Sequence, residues 1–310
     1  MLDELKALVA VVEERSVTKA AAKLFLTQSA ISRRIQQLED TLRTPLLDRT
    51  SRPPTPTAIG QRVYAQAVIT LRAFDSLVAL TTESAMPRGP FRIGVAHGIV
   101  EAIVVEPLRA LRAQFPELDL RLRAGWSPQI IDDIVAGDLD AAVVLKSHTS
   151  PAPTTHHQEI LASLDVVAVQ SRSHPLVSGR SSVSDLARYD WIVNPQGCGY
   201  RAELERVMGE HGQELRVGVD AYGTEMQLQL VGAGLGLGIV SKSILALSRH
   251  RDELSIVDLK DFKFRIDVNV LHQSSVGNLI KPIALLRDVV AARILAAERA
   301  PDGPKSRKRA

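Results

Sequence analysis

The sequence predicts a chain of mixed class, helical in its first part and α/β after that, and three observations carry the expectation. Apolar residues recur at helical spacing up to about residue 84. From Phe91 onward short apolar runs alternate with amphipathic stretches, the pattern of a sheet with crossover helices. Between the two lies Met86-Pro87-Arg88-Gly89-Pro90, a break that neither a helix nor a strand runs through.

Composition sets the outer bounds. A chain of 310 residues has room for about two or three domains. Its 45% hydrophobic and 24% charged residues are those of an ordinary globular protein and exclude a disordered or fibrous class. The most apolar run, Leu230 to Val240, is shorter than the roughly 20 residues of a membrane span and is broken by glycines. Asp3 and Glu4 stand where a secretory signal carries bases, so a cytoplasmic location is expected. The single cysteine, Cys198, excludes an intramolecular disulfide framework and a multi-cysteine zinc site, and it fits a reducing compartment.

Net charge is only +3, but it is unevenly placed. Bases at 15, 19, 23, 33, 34, 43, 49, 52 and 62 face acids at only 39, 40 and 48, which gives this segment +6. The tail, residues 301–310, adds a further +3, so the rest of the chain is acidic. Positive charge gathered at one end suits a domain that meets phosphate, although solvated basic helix faces are common.

The elements follow in order. Leu2, Leu5, Leu8, Val9 and Val12 mark a first helix, with Asp3 and Glu4 at its positive end. Ser16 and Thr18 are N-cap candidates for a short second helix through Ala20, Ala21 and Ala22, whose small side chains let another helix come close. Leu24 to Leu26 make a turn, and Thr27 caps a third helix from Gln28 to about Thr41. At about 100° per residue, Gln28, Ser29, Ser32, Arg33 and Gln36 fall within an arc of about 140°. Ala30, Ile31, Ile35 and Leu38 fall on the other side. Glutamine bonds adenine bidentately, arginine does so to guanine, and short hydroxyls reach base or phosphate, so this face suits a DNA major groove. An ordinary solvated helix face is an equal alternative on pattern alone. Arg34 lies on the apolar arc, from which its stem follows the core edge and its guanidinium is expected to reach phosphate.

The same residues resemble a known family. Leu5, Leu8, Ser16, Thr18, Ala21-Ala22, Leu24, Thr27-Gln28-Ser29-Ala30-Ile31-Ser32, Ile35, Leu38-Glu39, Pro45-Leu46, Asp48-Arg49 and Thr57-Ala58 followed by Gly60 resemble the N-terminal signature of LysR-type transcriptional regulators. Two positions depart from it. Arg43 replaces the family's usual glycine after the third helix, which predicts a shifted or strained helix end, and Leu47 replaces a phenylalanine. Arg49-Thr50-Ser51-Arg52-Pro53-Pro54-Thr55-Pro56 then looks like the wing of a winged helix-turn-helix, a plain Pro-rich linker being the alternative. The expected DNA contacts are Gln28, Ser29, Ser32 and Arg33 in the major groove, Thr27 at the helix start, and Arg34, Arg49 and Arg52 on phosphates or in the minor groove.

Thr57 caps a long helix to about Ser84, in which Tyr64, Ala67, Leu71, Phe74 and Val78 repeat at spacings that suit a dimer seam. The resemblance implies antiparallel pairing of these helices in a homodimer or homotetramer. The alternative is a helix packed on its own domain.

Beyond the Pro/Gly break, strands are expected at Phe91 to Ala96, Leu118 to Arg123, Ala141 to Leu145, Leu164 to Val169, Trp191 to Asn194, Leu215 to Val219, Leu237 to Val240 and Arg265 to Leu271. Helices are expected at Ile99 to Gln114, Ser127 to Ala136, Tyr200 to His211, Thr224 to Gly232 and Ile280 to Ala297. The resemblance implies two α/β subdomains arranged like a periplasmic solute-binding protein. The expected organisation is therefore a winged helix-turn-helix at 1–57, a linker helix at 58–85, and an effector-binding domain at 91–300. Subdomain one comprises 91–161 and 268–300, subdomain two 162–267, and a basic disordered tail covers 301–310.

Ligands of such sheets bind beyond the carboxyl ends of strands, where helix starts point their amides inward. This singles out His97 and Gly98, Trp126 and Ser127, Pro195, Cys198, Gly199 and Tyr200 within Asn194 to Arg201, and Thr224 after Gly223. Simple helix capping by Ser127 and Thr224 and packing of Trp126 explain each residue singly; together they suit a small organic anion. Other features are set aside. Gly232, Gly234, Gly236 and Gly238 do not form a dinucleotide loop and follow a helix, so close packing explains them. His156 and His157 lack further ligands at metal spacing, and Cys198 lacks a resolving partner for redox sensing. No nucleophile with its base, metal set or cofactor loop is evident, so an enzyme is the least favoured reading and no cofactor is expected. An effector-controlled transcriptional regulator leads, ahead of an architectural DNA-binding protein without a ligand.

Overall fold

A computed structural model describes residues 1–48, 50–51, 53–80, 86–147, 156–262, 264–273 and 276–298. The chain divides into two compact units, residues 1–84 and 85–310. The expected wing arginines, Arg49 and Arg52, and the tail at 301–310 lie outside the described residues.

The first unit packs α1 (Leu2–Glu14), α2 (Val17–Lys23) and α3 (Gln28–Leu42) around Leu8, Val11, Ala20, Ala21, Ile31, Ile35 and Leu38. Ala20 and Ala21 are buried, as close approach of neighbouring helices requires. Ser16 rather than Thr18 caps α2, its hydroxyl accepting from the Lys19 amide at 3.3 Å. Thr27 caps α3 by accepting from the Ala30 amide at 3.2 Å. A short hairpin follows, β1 (Leu47–Asp48) against β2 (Thr55–Pro56), antiparallel with Leu47 opposite Pro56. Then comes α4 (Ala58–Leu80). Thr57 ties its start to the hairpin, donating to the Pro45 carbonyl at 3.0 Å and accepting from the Gly60 amide at 2.9 Å.

The α4 face expected to form a dimer seam is divided in two. α4 packs along α1, and Ala67 and Leu71 are buried. Tyr64 is half-buried, whereas Phe74 and Val78, with Leu77 beside them, are exposed. Spacing alone does not tell which part of a long stripe the chain's own first helix covers.

Arg43 settles the question of the helix end. α3 stops at Leu42 and Arg43 takes φ 51° and ψ 38°, the left-handed conformation that glycine adopts without strain. Its amide bonds the Asp40 carbonyl at 3.3 Å and that of Thr44 bonds Glu39 at 3.1 Å, so the helix closes in the usual paired-bond stop with a side chain forced into it. Arg43→Gly is therefore expected to stabilise the first unit by about 0.5–1 kcal/mol, strain relief outweighing the added freedom of the unfolded chain. Calorimetry should show its melting rise by roughly 2–6 °C; a fall would mean that the arginine side chain supports the turn.

The second unit is α/β. In chain order it contains β3 (Gly89–Ala96), α5 (Val100–Ile103), α6 (Val105–Gln114), β4 (Leu118–Gly125), α7 (Ser127–Val135), β5 (Ala141–Ser147) and β6 (His157–Ser171). β7 (Trp191–Val193), α8 (Gly199–Glu210), β8 (Val217–Asp220), α9 (Thr224–Gly232), β9 (Gly238–Ser241) and α10 (Lys242–Leu247) follow. β10 (Leu254–Ile256), β11 (Arg265–His272) and α11 (Ile280–Glu298) complete it. β4, β3 and β5 are parallel, and β11 runs antiparallel between β5 and β6. β6 continues past β11 and pairs antiparallel with β9 and β10. β7 and β8 form a parallel pair joined to this second half by a bridge between Trp191 and Leu237. Two halves thus share β6 and β11, the strands on which the chain crosses over and returns.

Two expected elements differ in extent. β6 begins at His157, well before Leu164, because its first part carries polar or exposed residues such as Gln158 and Glu159 and is held by backbone pairing with β11 instead of by an apolar pattern. The single helix expected from Ile99 to Gln114 is two, α5 and α6. Pro107 has no amide to return to the preceding turn, and it is accommodated only near the start of a new helix. Gly236 and Gly238 serve close packing, since a Cβ would come within 2.5 Å of the Asp190 carbonyl oxygen and 2.7 Å of Val231 Cγ2 respectively. Among the described residues no helix is long and apolar enough to cross a membrane.

Candidate functional site

The α3 face follows the spacing. Thr27, Gln28, Ser29, Ser32, Arg33 and Gln36 are exposed, whereas Ile31, Ile35 and Leu38 are buried. Ser29 Oγ lies 3.0 Å from the Thr27 hydroxyl, which fixes both at the helix start. Arg34 is placed differently from expectation: its guanidinium pairs with the Asp3 carboxylate on α1 at 3.1 Å, where a phosphate would have to compete for it. The far end of α3 is acidic. Glu39 accepts the amides of Leu46 and Leu47 at 2.8 and 3.2 Å, which holds the hairpin, and with Asp40 and Asp48 it lines a groove beside β1 and β2. Two bonds from Thr50 hold the Asp48 carboxyl below its ordinary range, so it stays ionised.

In the second unit the strand-to-helix turns converge as the topology requires. The His97 and Trp126 rings lie 4.7 Å apart, and Trp126 lies 6.3 Å from Tyr222. Gly197 lies two residues after the half-buried Pro195, and a Cβ on it would stand 3.3 Å from Trp126 Cβ. Gly98 packs so closely that a Cβ would reach 2.7 Å from Leu145 and 3.1 Å from the Tyr200 ring. A Cβ on Gly199 would lie 3.1 Å from Ile266 Cδ1. Thr224 Oγ1 donates to the Gly98 carbonyl at 3.0 Å, joining the two halves.

Several of these side chains are already committed. The Ser127 hydroxyl accepts the Leu145 amide at 3.1 Å in a buried position. Tyr200 is fully enclosed, its hydroxyl 3.4 Å from Ser241 Oγ, and burial pushes its pKa well above the ordinary phenol value. Burial likewise raises the Cys198 thiol, against backbone donors at Tyr200 and Arg201 and the Arg201 charge, so thiolate at neutral pH is disfavoured and with it redox sensing. His157 stacks on His272 at 4.6 Å, and among the described residues no group of three metal-binding side chains converges.

Three residues of this region were not read from the sequence. Glu101 Oε2 accepts the Glu225 amide at 3.0 Å from the opposite half. Tyr222 is 68% exposed beside Trp126. Gln227 is buried and donates to the Ile192 and Ile239 carbonyls, each at 3.0 Å. Asn194 links it to the turn, donating to Gln227 at 2.9 Å and accepting the Gly223 amide at 2.9 Å. An exposed aromatic ahead of Gly223-Thr224 was the available signal for Tyr222; nothing local marks the other two.

Two family models match the chain, "Bacterial regulatory helix-turn-helix protein, lysR family" over residues 2–61 and "LysR substrate binding domain" over residues 84–290. The HTH-type transcriptional regulator GltR of Bacillus subtilis (strain 168) is 32% identical over 237 residues, 75% of this chain and 77% of that protein. A full-length OxyR variant from Pseudomonas aeruginosa shares the fold with a TM-score of 0.74 at 17% identity, covering 94% of each chain. Full-length CbnR in complex with its target DNA gives 0.62 at 19% identity, over 94% of this chain and 99% of that one.

Proposed function

This chain belongs to the LysR family of transcriptional regulators, and on that premise we propose which of its residues read DNA and which hold its effector. It is a DNA-binding regulator with a helix-turn-helix domain and a small-molecule effector domain. Gln28, Ser29, Ser32 and Arg33 read base edges, Thr27 sets the helix start, and Arg34, Arg49 and Arg52 act on the backbone. The effector lies between subdomain one, 91–161 with 268–300, and subdomain two, 162–267. His97, Gly98, Trp126, Ser127, Pro195, Cys198, Gly199, Tyr200 and Thr224 frame it, Ser127 and Tyr200 by shaping the walls. Helix starts converging on that cleft suit a small organic anion. The protein works in the cytoplasm as a homodimer or homotetramer, for which Phe74 and Val78 on α4 offer exposed apolar surface; the last part of the 58–85 linker, residues 81–85, lies outside the described residues.

The observation that carries the DNA-reading assignment is the division of α3, with Gln28, Ser29, Ser32, Arg33 and Gln36 exposed and Ile31, Ile35 and Leu38 buried. Arg33→Ala tests it. On a duplex selected from a random pool by the wild-type protein, the variant should lose about 1–3 kcal/mol and its preference at one base pair, while its affinity for unselected duplex changes little. Equal losses on both duplexes would reduce Arg33 to a phosphate contact.

A further inference from the structure

The proposed effector cleft is bridged by a carboxylate of the chain itself. Glu101 belongs to α5 in the first half, and its Oε2 accepts the amide of Glu225, the second residue of α9 in the other half, at 3.0 Å. A Cβ at position 223 would lie only 3.0 Å from Glu101 Oε1, so the bare Gly223, at φ 100°, leaves room for the carboxylate. Gly223 also brings no side-chain cap of its own. The α2, α3 and α10 starts take their capping oxygen from the residue directly before them, Ser16, Thr27 and Ser241. α9 takes its acceptor from 124 residues away, across the cleft. Thr224 Oγ1 adds the second bond between the halves, to the Gly98 carbonyl at 3.0 Å.

We propose that Glu101 is a displaceable internal ligand, whose carboxylate holds on α9 the position taken by a carboxylate of the effector. The inference rests on the reading of this cleft as the effector site. An anion at a helix start is held by free amides and the helix dipole, and a tethered carboxylate and a free one compete for them on equal chemical terms. Glu101 is exposed, so exchange requires no rearrangement of the core. Displacement cuts one of the two bonds that join the halves here, which couples arrival of the effector to their relative position.

Propionate, the free counterpart of the whole glutamate side chain, supplies the test. In the full-length protein, Glu101→Ala should lower the melting temperature of the second unit, and propionate should restore it relative to chloride at equal ionic strength. The wild type should need about tenfold more propionate for a comparable shift, because the tethered group competes. Glu101→Gln, which keeps an acceptor oxygen without the charge, should melt between the two and respond weakly. No propionate-specific rescue of Glu101→Ala overturns the proposal, whatever the cleft's role. Rescue in melting with no accompanying change in affinity for the selected duplex upholds the internal ligand and removes this cleft's role in regulation, so the two failures are distinct.

Discussion

Replacing Gly60 by alanine is expected to abolish duplex binding by the full-length protein while leaving the melting of the second unit at its wild-type temperature. A Cβ on Gly60 would stand 1.9 Å from the Leu46 carbonyl oxygen and 2.8 Å from its carbon, far inside contact distance. The obstacle is backbone, which cannot rotate aside as a side chain does. That backbone is also pinned, the Leu46 carbonyl accepting the Thr57 amide at 2.9 Å and the Leu46 amide donating to Glu39 at 2.8 Å. Leu46 itself is fully buried in the core of the first unit. Relief therefore requires either α4 to leave α1 or the hairpin to leave α3, and both moves disturb the support of α3, the proposed reading helix. A loss of about 4 kcal/mol or more, at the upper end for single substitutions, would leave so small a unit largely unfolded. Calorimetry with two resolved transitions, together with duplex titration, checks it; a first transition within a degree or two of wild type would show that α4 slides aside harmlessly.

The exposed polar face of α3 was legible because it is a local property. Helical spacing puts Ile31, Ile35 and Leu38 on one side, and burial follows from that geometry once any core forms beside it. Arg34 was not legible in the same way, since its partner Asp3 lies 31 residues earlier and only packing of α1 on α3 brings them together. The convergence of the strand-to-helix turns was legible for a topological reason: strand ends in an α/β sheet face the same side wherever crossover helices alternate with them. What filled those turns was not. Ser127 and Thr224 read equally as caps or ligand contacts, and the outcome depends on the neighbouring backbone groups, the Leu145 amide and the Gly98 carbonyl, that the fold happens to bring near. Glu101 reads as an ordinary acid in a helix's first turn, and its partner belongs to the opposite half.

Gln227→Leu is expected to destabilise the second unit by about 3 kcal/mol or more, although leucine fills nearly the same volume. The amide is 1% exposed and all its bonds run to other elements. Its Nε2 reaches the Ile192 carbonyl on β7 and the Ile239 carbonyl on β9, each at 3.0 Å, beside the bridge of Trp191 with Leu237. Its Oε1 accepts from Asn194, which in turn holds the Gly223 amide at the start of α9. Leucine would leave two carbonyls and one side-chain N–H without partners in a dry interior, at about 1–3 kcal/mol for each group. The sum exceeds what the added apolar contact returns, and α9 would lose the tether that sets its first turn against Glu101. Gln227→Glu sharpens the argument by sign. A carboxylate would face two carbonyl oxygens, so the folded state favours the protonated acid and raises its pKa above the unfolded value. Stability of that variant should then be greatest below the ordinary glutamate range and fall as pH rises toward neutrality, opposite to a paired carboxylate. Urea unfolding of both variants at two pH values reads the effect, and a Gln227→Leu midpoint equal to wild type would mean that β7 and β9 are held without this amide.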